Sequence, residues 1–351
     1  MLRWGILLGW LVAYGASAWP GEVDTSFRPR IRPRGKITVI VEQDDRRLLV
    51  GGGFNKPRRG QYGMLLRLHD SGRLDRSFKV RAADLSDSPV YRIQPLIDGR
   101  LGIGMAWRAW FCTSDGRFDQ ASRFGSLVYT IRANGSVIFE NPPIHMPDRW
   151  GTLYEIDSAG EAHEYRIGDW FAWLRTFPDD SVVGMSYNRD KTIVHVSGVS
   201  GNLVGSQVVD LQPGPSNTIY CAGSLVISGR GWPTYRGKLF RFSGGLIDST
   251  FGFRPVGTEN TTDWSLTAIA VAPDGSVVFA AETNKETGND RFWVGRVRAD
   301  GSGDETFEVG SGPNGRVNGI LILRSGEILV WGDFTRFDGH RCRGLVRLKA
   351  L

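Results

Sequence analysis

Four short motifs repeat an aspartate, a hydroxyl side chain and a phenylalanine at fixed spacing. Their form is Asp-x-Ser/Thr-Phe, and they cover Asp24–Phe27, Asp75–Phe78, Asp248–Phe251 and Asp304–Phe307. Such carboxylates could act as acidic ligands, but an aspartate beside a turn can also accept hydrogen bonds from turn amides or from an arginine on the neighbouring strand. The arginines placed for this role are Arg67, Arg241, Arg296 and Arg347. We interpret the motifs as hairpin locks, each with its phenylalanine in the core.

Motifs typical of enzymes are absent from the sequence. The five histidines have no metal-binding spacing, there is no H-E-x-x-H or G-x-S-x-G motif, and Cys112, Cys221 and Cys342 lie far apart. We therefore predict no catalytic residue, no metal site and no cofactor, and we interpret the cysteines as small buried side chains on strands.

A glycan hydrolase that uses carboxylates near a central channel is the alternative, because a glycosidase needs two carboxylates facing each other across a pocket. Six acidic residues could supply such a pair: Asp84, Asp87, Glu140, Asp148, Asp263 and Glu308. The favoured interpretation of each is an acidic side chain in a solvated loop.

Arginines and aromatic residues are concentrated in long loops predicted to share one face of the fold. The loops are Arg28–Gly35, Phe54–Gly63, Glu140–Trp150, Gly229–Gly237 and Phe334–Arg343. Arginine, tyrosine and tryptophan are enriched in recognition surfaces, where they supply much of the binding free energy. From these loops we predict the binding residues Arg58, Arg59, Tyr62, Trp150, Trp232, Tyr235 and Phe337. In the alternative interpretation, the aromatic rings fold back and anchor their own loops.

A two-residue turn followed by alternating apolar residues occurs seven times along the chain. The copies begin at Asp45, Asp98, Asn134, Asp179, Ala222, Asp274 and Ser325. Glycine at the second position supplies the positive φ of a tight hairpin turn, and the alternating residues bury one face of the next strand. Arg46 and Asp180 replace this glycine, so these two turns must be strained or of another type.

The spacing of the copies predicts the architecture. Successive turns lie about 36 to 53 residues apart, which is typical of a four-stranded propeller blade. The last copy stops one strand short at Leu351, whereas a spare strand at Val23–Phe27 precedes the first copy. We therefore predict an all-β fold: a single seven-bladed β-propeller over residues 19–351, its ring closed by the N-terminal strand that completes the last blade.

The first and last copies resemble the delta-60 repeat family, whose repeat is similar to "lvGGdF…G…riaRLn.dGslD.sF". The matching stretches are "LLVGGGFNKPRRGQYGMLLRLHDSGRLDRSF" and "ILVWGDFTRFDGHRCRGLVRL". The sixth copy fits moderately, the second and fifth in part, and the third and fourth poorly. The resemblance implies an exported β-propeller, and it supplies no catalytic residue.

Residues 1–18 have the features of a signal peptide. Arg3 is basic, Trp4–Val12 is apolar but shorter than the roughly 20 residues of a membrane span, and Ala16-Ser17-Ala18 forms a cleavage site. We predict cleavage near Ala18, a secreted or periplasmic chain and no membrane span.

The composition and net charge limit the classes of function that the chain can have. The chain has 351 residues, a formal net charge of +6 at pH 7, and 46 glycines. A basic protein suits anionic partners, but the arginines are spread through every segment and form no nucleic-acid-binding pattern. We predict a monomeric, non-catalytic binding module for a protein or an anionic polysaccharide, without a nucleic-acid partner. A rigid structural spacer is a further possibility.

Overall fold

The computed structural model describes most of the chain between Pro20 and Ala350. The segments outside the description are 1–19, 30, 32–35, 53–64, 81–88, 106–107, 124–128, 141–151, 158, 167–170, 177–181, 189–190, 197–198, 205–206, 230–231, 244–245, 257–263, 284–289 and 351. The predicted signal peptide and the turn at Asp180 lie outside the described residues. Among the described residues, no helix is long and apolar enough to cross a membrane.

The regular secondary structure of the described chain is almost entirely β-strand, with a 3₁₀ turn at Pro215–Asn217. The strands form antiparallel meanders, which we number in chain order. Meander 1 contains β1 (Ile37–Glu42), β2 (Leu48–Gly52) and β3 (Leu65–Leu68). Meander 2 contains β4 (Val90–Pro95), β5 (Leu101–Met105), β6 (Arg108–Cys112) and β7 (Phe118–Arg123). Meander 3 contains β8 (Tyr129–Ile131), β9 (Val137–Glu140), β10 (Thr152–Ile156) and β11 (Ala162–Arg166).

Four further meanders follow in the described chain. Meander 4 contains β12 (Phe171–Thr176), β13 (Val182–Asn188), β14 (Lys191–Val196) and β15 (Val199–Val204). Meander 5 contains β16 (Gln207–Pro213), β17 (Thr218–Gly229), β18 (Trp232–Ser243) and β19 (Leu246–Ile247). Meander 6 contains β20 (Trp264–Val271), β21 (Val277–Thr283) and β22 (Phe292–Val297). Meander 7 contains β23 (Val317–Ile322), β24 (Ile328–Gly332) and β27 (Leu345–Leu348), with the small hairpin β25 (Arg336–Phe337) and β26 (His340–Arg341) inserted before β27.

The core lies between neighbouring meanders. The second strand of a meander is covered on both faces, which explains continuous apolar sequences such as that of β2, where all five residues are buried. The first and last meanders also share a core, in which Ile37 and Leu48 cluster with Leu329 and Trp331.

The predicted hairpin locks are confirmed. Arg67 Nε donates to Asp75 Oδ2 at 2.8 Å, the Ser77 amide donates to Asp75 Oδ1 at 2.9 Å, and the Arg67 guanidinium carbon lies 4.8 Å from the centre of the Phe78 ring. The Arg67 Nη1 group also donates to the Ser114 carbonyl of meander 2 at 2.5 Å. A lock therefore joins one meander to the turn of the next.

The same arrangement recurs at two other locks. Arg241 donates to Asp248 at 2.8 Å and to the Ala299 carbonyl of the next meander at 2.5 Å. Arg347 donates to Asp24 at 2.7 Å and to the Asp70 carbonyl at 3.0 Å. Because Arg347 belongs to meander 7 and Asp70 follows β3, this lock joins the last meander to the first.

The Asp75 lock should make stability depend on acid. Burial by itself would raise the pKa of Asp75, but hydrogen bonds from Ser77 and the Arg67 guanidinium lower it from 3.8 to about 2. A depressed pKa contributes stability above the unfolded-state value, and this contribution is lost as pH falls towards 2. We expect about 2 kcal/mol from this group at neutral pH.

Urea unfolding of the wild type and of Asp75→Asn between pH 7 and pH 2.5 measures this contribution. The difference between the two free energies of unfolding should shrink as the pH falls. A difference that stays constant with pH would show that the Asp75 carboxylate is not the acid-sensitive group.

The N-terminal segment lies antiparallel beside β27. Val23 pairs with Leu348, the Asp24 amide donates to the Arg347 carbonyl at 2.8 Å, and the Lys349 amide donates to the Glu22 carbonyl at 2.8 Å. The N-terminal segment therefore lies along the outer edge of β27.

One of the predicted turns is wrong. Gly223 does not form a turn but lies within β17, where it pairs with Val208 of β16. The hairpin turn of meander 5 is the 3₁₀ turn, in which Ser216 and Asn217 have φ of 55° and 57°. Gly223 instead marks a β-bulge in the pairing of β17 with β18. The prediction for Arg46 is confirmed, because this turn residue has φ of 63°.

Meanders 4 and 5 belong to one eight-stranded sheet rather than to two separate sheets. β17 is 12 residues long, and its first part, up to Ser224, pairs with β16. The rest extends beyond β16, so Ile227 is available to pair with Leu203 at the edge of β15.

Candidate functional site

Four of the predicted binding residues lie outside the described residues. These are Arg58, Arg59, Tyr62 and Trp150. In sequence they lie between β2 and β3 and between β9 and β10, and their role in binding stays a prediction.

The predicted loop at Gly229–Gly237 is wrong. Trp232 and Tyr235 lie in β18, where they pair with Gly229 and Ile227 of β17. The hairpin connection is only two residues long, because the strand pairing continues almost to its tip. The side chains of Trp232 and Tyr235 are not among the described ones, so their contribution to binding also stays a prediction.

Phe337 is a core residue and not part of an exposed binding surface. Its side chain has 0% exposure and packs against Phe334 with ring centres 5.9 Å apart. Phe337 pairs with His340 in the small β25–β26 hairpin, and its ring lies in the core cluster of meanders 6 and 7. For this residue the alternative interpretation, a ring that anchors its own loop, is the correct one.

A groove of about 800 Å³ lies beside β22 in meander 6. One wall is formed by β22, with Phe292 and Trp293, and the other by the connection to meander 7, with Glu305 and Asn314. We call it the edge groove. Its volume is in the range of small-ligand sites.

The outer edge of β22 faces this groove with unpaired backbone groups. The Thr283 amide donates to the Arg291 carbonyl on the side of β21, and the Asp304 amide donates to the Arg296 carbonyl on the opposite side. Since backbone groups alternate sides along a strand, those of Phe292 and Val294 point to the groove. Among the described residues, none bonds to them there, so they can accept or donate hydrogen bonds to a ligand.

An aromatic stack supports the wall of the groove. The half-buried Trp293 ring lies 5.6 Å from the Trp264 ring, and the Phe253 ring lies 6.2 Å from Trp264 on another side. The Lys238 ammonium is 4.5 Å from the centre of the Trp264 ring. This packing fixes Trp293 in place, so that binding a ligand there orders few additional side chains.

Charged groups of both signs line the edge groove. Arg296 lies 3.3 Å from Asp304 and 3.6 Å from Asp274, so it is neutralised by the protein. Asp290, Arg291 and Glu305 are exposed, and none of the three forms an ion pair with another described residue. The groove thus offers an aromatic ring, backbone groups and free charges to one ligand.

The three cysteines are free thiols and do not form a reactive site. Cys112 and Cys221 are fully buried, whereas Cys342 is only partly buried and follows β26. Burial raises the pKa of Cys112 to about 12 and that of Cys342 to about 11, and it also raises the pKa of Cys221. The thiols are therefore protonated at neutral pH and are poor nucleophiles.

The chain matches no protein-family model and no curated protein. It is similar to solved structures, among them the WD40 domain of Neurospora crassa Pan2, with a TM-score of 0.51 and 12% identity over 90% of this chain and 88% of that one. Virginiamycin B lyase from Staphylococcus aureus aligns with a TM-score of 0.51 and 10% identity over 90% of this chain and 95% of that one.

A third similar structure is described as the extracellular domain of a hybrid two-component system from B. thetaiotaomicron. It aligns with a TM-score of 0.53 and 12% identity over 92% of this chain and 39% of that one, so this chain spans well under half of its length. At such low identity, these similarities show the fold alone. The chain is an all-β protein of the β-propeller class.

Proposed function

We propose that this chain is an exported, seven-bladed β-propeller that acts as a non-catalytic binding module for an anionic polysaccharide. The observation that carries the proposal is the edge groove, whose lining contains the fixed ring of Trp293 and the unpaired cation of Arg291, together with the exposed carboxylates of Asp290 and Glu305. A protein ligand is the second candidate, and the same experiment distinguishes the two.

The contacts between the first and last meanders support a closed ring of seven blades. Lys36 Nζ lies 3.0 Å from Asp333 Oδ2, and Arg324 Nη2 lies 2.7 Å from Asp44 Oδ1. Together with the Arg347 lock, these pairs join the two ends of the array. A ring removes the exposed sheet edges that an open array would leave.

A polysaccharide fits the chemistry of the edge groove. Sugar rings present apolar C–H faces that pack on an aromatic side chain such as Trp293, and their hydroxyl groups suit the free backbone groups of β22. An acidic sugar suits Arg291 and the net charge of +6, whereas the free carboxylates of Asp290 and Glu305 suit the neutral hydroxyl groups of the same polysaccharide as hydrogen-bond donors. An exported protein of the delta-60 repeat type could meet such a ligand, because acidic polysaccharides are common outside cells.

The inner strands argue against a glycan hydrolase. The first strand of each meander borders the axis of a propeller, and these seven described strands contain only two carboxylates, Glu42 and Asp210. Asp210 is engaged by Arg175 at 2.9 Å and by Gln212 at 2.9 Å. Glu42 accepts a hydrogen bond from the Arg324 amide at 2.8 Å. Both inner-strand carboxylates of the described chain are thus hydrogen-bonded to other protein groups. Of the six carboxylates named from the sequence, Asp84, Asp87, Asp148 and Asp263 lie outside the described residues.

A glycan array probed with the purified chain tests the proposal, with Trp293→Ala as the binding variant and Leu246→Ala as the control. Leu246 is an exposed apolar residue of another meander. We expect acidic glycans to be retained, and Trp293→Ala to weaken binding by about tenfold, because a fixed aromatic anchor contributes about 1–2 kcal/mol.

Three outcomes would contradict the proposal. Cleavage of a retained glycan would establish the hydrolase, and binding that is unaffected by Trp293→Ala would place the site elsewhere. A wild-type chain that retains no glycan but binds a protein would favour the second candidate.

A further inference from the structure

The charged side chains that line the edge groove are separated along β22. Arg291 directly precedes β22, where its amide donates to Thr283 Oγ1 at 2.9 Å and its carbonyl accepts a hydrogen bond from the Thr283 amide at 3.0 Å. Glu305 lies at the other end of the strand, because the Asp304 amide donates to the Arg296 carbonyl at 3.0 Å. Arg296 follows Arg291 by five residues. Since a strand advances about 3.3 Å per residue, the Arg291 end and the Glu305 end of the groove lie roughly 17 Å apart.

The Arg291 end offers a free cation. Arg291 and Asp290 are both exposed, and neither forms an ion pair with another described residue. The guanidinium can bind both oxygens of a ligand carboxylate, whereas the Asp290 carboxylate can accept hydrogen bonds from hydroxyl groups. Because this end carries one free charge of each sign, it matches one acidic group of a ligand and not several.

The cations at the Glu305 end are already paired within the protein. Guanidinium nitrogens of Arg296 and Arg298 each lie 3.3 Å from a carboxylate oxygen of Asp304. Burial by itself would raise the pKa of Asp304, but hydrogen bonds from Thr306 and the two nearby guanidinium groups lower it, so this carboxylate stays charged at neutral pH. Glu305 adds an exposed carboxylate that no described cation pairs. This end therefore repels an acidic group of a ligand.

The separation of charges restricts the kind of acidic polysaccharide that fits the groove. A uniform polyuronate has a carboxylate on every sugar, so one of them lies near Glu305 wherever the polymer sits. Two like charges about 4 Å apart in water repel enough to weaken binding about fivefold. A polymer with neutral sugars between its acidic ones can place an acid at Arg291 and a neutral sugar at Glu305. The carboxylate of Glu305 then accepts hydrogen bonds from hydroxyl or amide groups.

We propose that Glu305 determines the specificity of the edge groove, which selects polysaccharides of alternating acidic and neutral sugars over uniform polyuronates. This inference rests on the proposed function, because it requires that the groove binds an acidic polysaccharide. Arg291 attracts one acidic sugar, Trp293 packs between the two ends, and Glu305 disfavours a second acid. A uniform polyuronate still binds, but more weakly. The net charge of +6 alone would give the opposite preference, since it attracts the polymer with more charges.

Titration calorimetry of the purified chain with octasaccharides of hyaluronan and of galacturonan tests the inference. Hyaluronan alternates glucuronate with neutral N-acetylglucosamine, so at equal length it carries half as many carboxylates as galacturonan. We expect the hyaluronan octasaccharide to bind about fivefold more tightly. Arg291→Met should weaken the binding of both octasaccharides, because it removes the cation that they share.

Two carboxylate variants make the result specific. Glu305→Gln keeps the size of the side chain and removes its charge, so it should tighten the binding of the galacturonan octasaccharide about fivefold and abolish the preference. Glu308→Gln is the matched control, because it makes the same change in net charge at an exposed position outside the groove lining. It should keep the wild-type preference.

The outcomes separate this inference from the proposed function. The inference is overturned if the wild type binds the galacturonan octasaccharide at least as tightly as that of hyaluronan, or if Glu305→Gln keeps the wild-type preference. Binding of both octasaccharides with equal affinity would overturn the inference alone and leave the proposed function intact. If neither octasaccharide binds, the proposed function fails, and the inference fails with it.

Discussion

A chain that begins at Arg28 should be far less stable than a chain that begins at Pro20. The eight residues removed include Val23 and Phe27, which are buried at 7% and 6% exposure. They also include Asp24, whose loss leaves the nearly buried Arg347 guanidinium with Asp70 as its remaining carboxylate partner. Losing a buried phenylalanine costs about 3–5 kcal/mol, and losing one of the two carboxylates of Arg347 adds less than the similar cost of breaking an isolated buried ion pair. We expect a total loss of about 5 kcal/mol and a greater tendency to aggregate, because the edge of β27 becomes exposed.

Denaturant unfolding of the two chains measures the loss, and point variants show its source. Asp24→Ala with Phe27→Ala should reproduce most of the effect, whereas Thr25→Ala, in the same segment but exposed, should have little effect. Equal stability of the chains beginning at Pro20 and at Arg28 would show that the N-terminal segment does not complete the last meander.

Phe337→Ala should also destabilise the protein strongly. The ring is fully buried in a cluster with Phe334, Val330 and Val346. Its removal leaves a cavity, and such substitutions cost about 3–5 kcal/mol. Phe337→Leu, which retains most of the volume, should cost much less.

Thermal and urea unfolding of these variants distinguish a core residue from a binding residue. Arg341→Ala, at an exposed position of the same small hairpin, is the matched control and should change stability by less than about 0.5 kcal/mol. If the Phe337→Ala protein is as stable as the wild type, Phe337 is not a core residue, and the predicted role in binding applies.

The features that the sequence predicted well are local or repeated. The Asp75 lock depends on residues within about a dozen positions of each other, and its repetition at Asp24, Asp248 and Asp304 made the interpretation robust. The N-terminal pairing was also predictable, because a missing strand at one end and a spare one at the other can be counted.

The features that the sequence missed depend on tertiary context. Gly223 has the same local pattern as a hairpin turn, but the pairing with β16 keeps it within a strand. Phe337 was assigned to a surface because its loop is rich in arginine, although its ring lies in the core cluster of meanders 6 and 7. The edge groove lies where no fourth described strand pairs with β22, and no sequence motif predicts this open edge.

We propose above all that the protein binds acidic polysaccharides without cleaving them. Affinity electrophoresis through gels that contain polygalacturonate or neutral dextran, followed by sizing of the polysaccharide after prolonged incubation, tests it directly. Arg324→Met controls for non-specific attraction by net charge, and Trp293→Ala tests the edge groove. We predict that polygalacturonate, and not dextran, retards the wild type and Arg324→Met alike, that Trp293→Ala migrates faster, and that the polymer keeps its length. Equal migration in both gels, or a shortened polymer, would contradict the account.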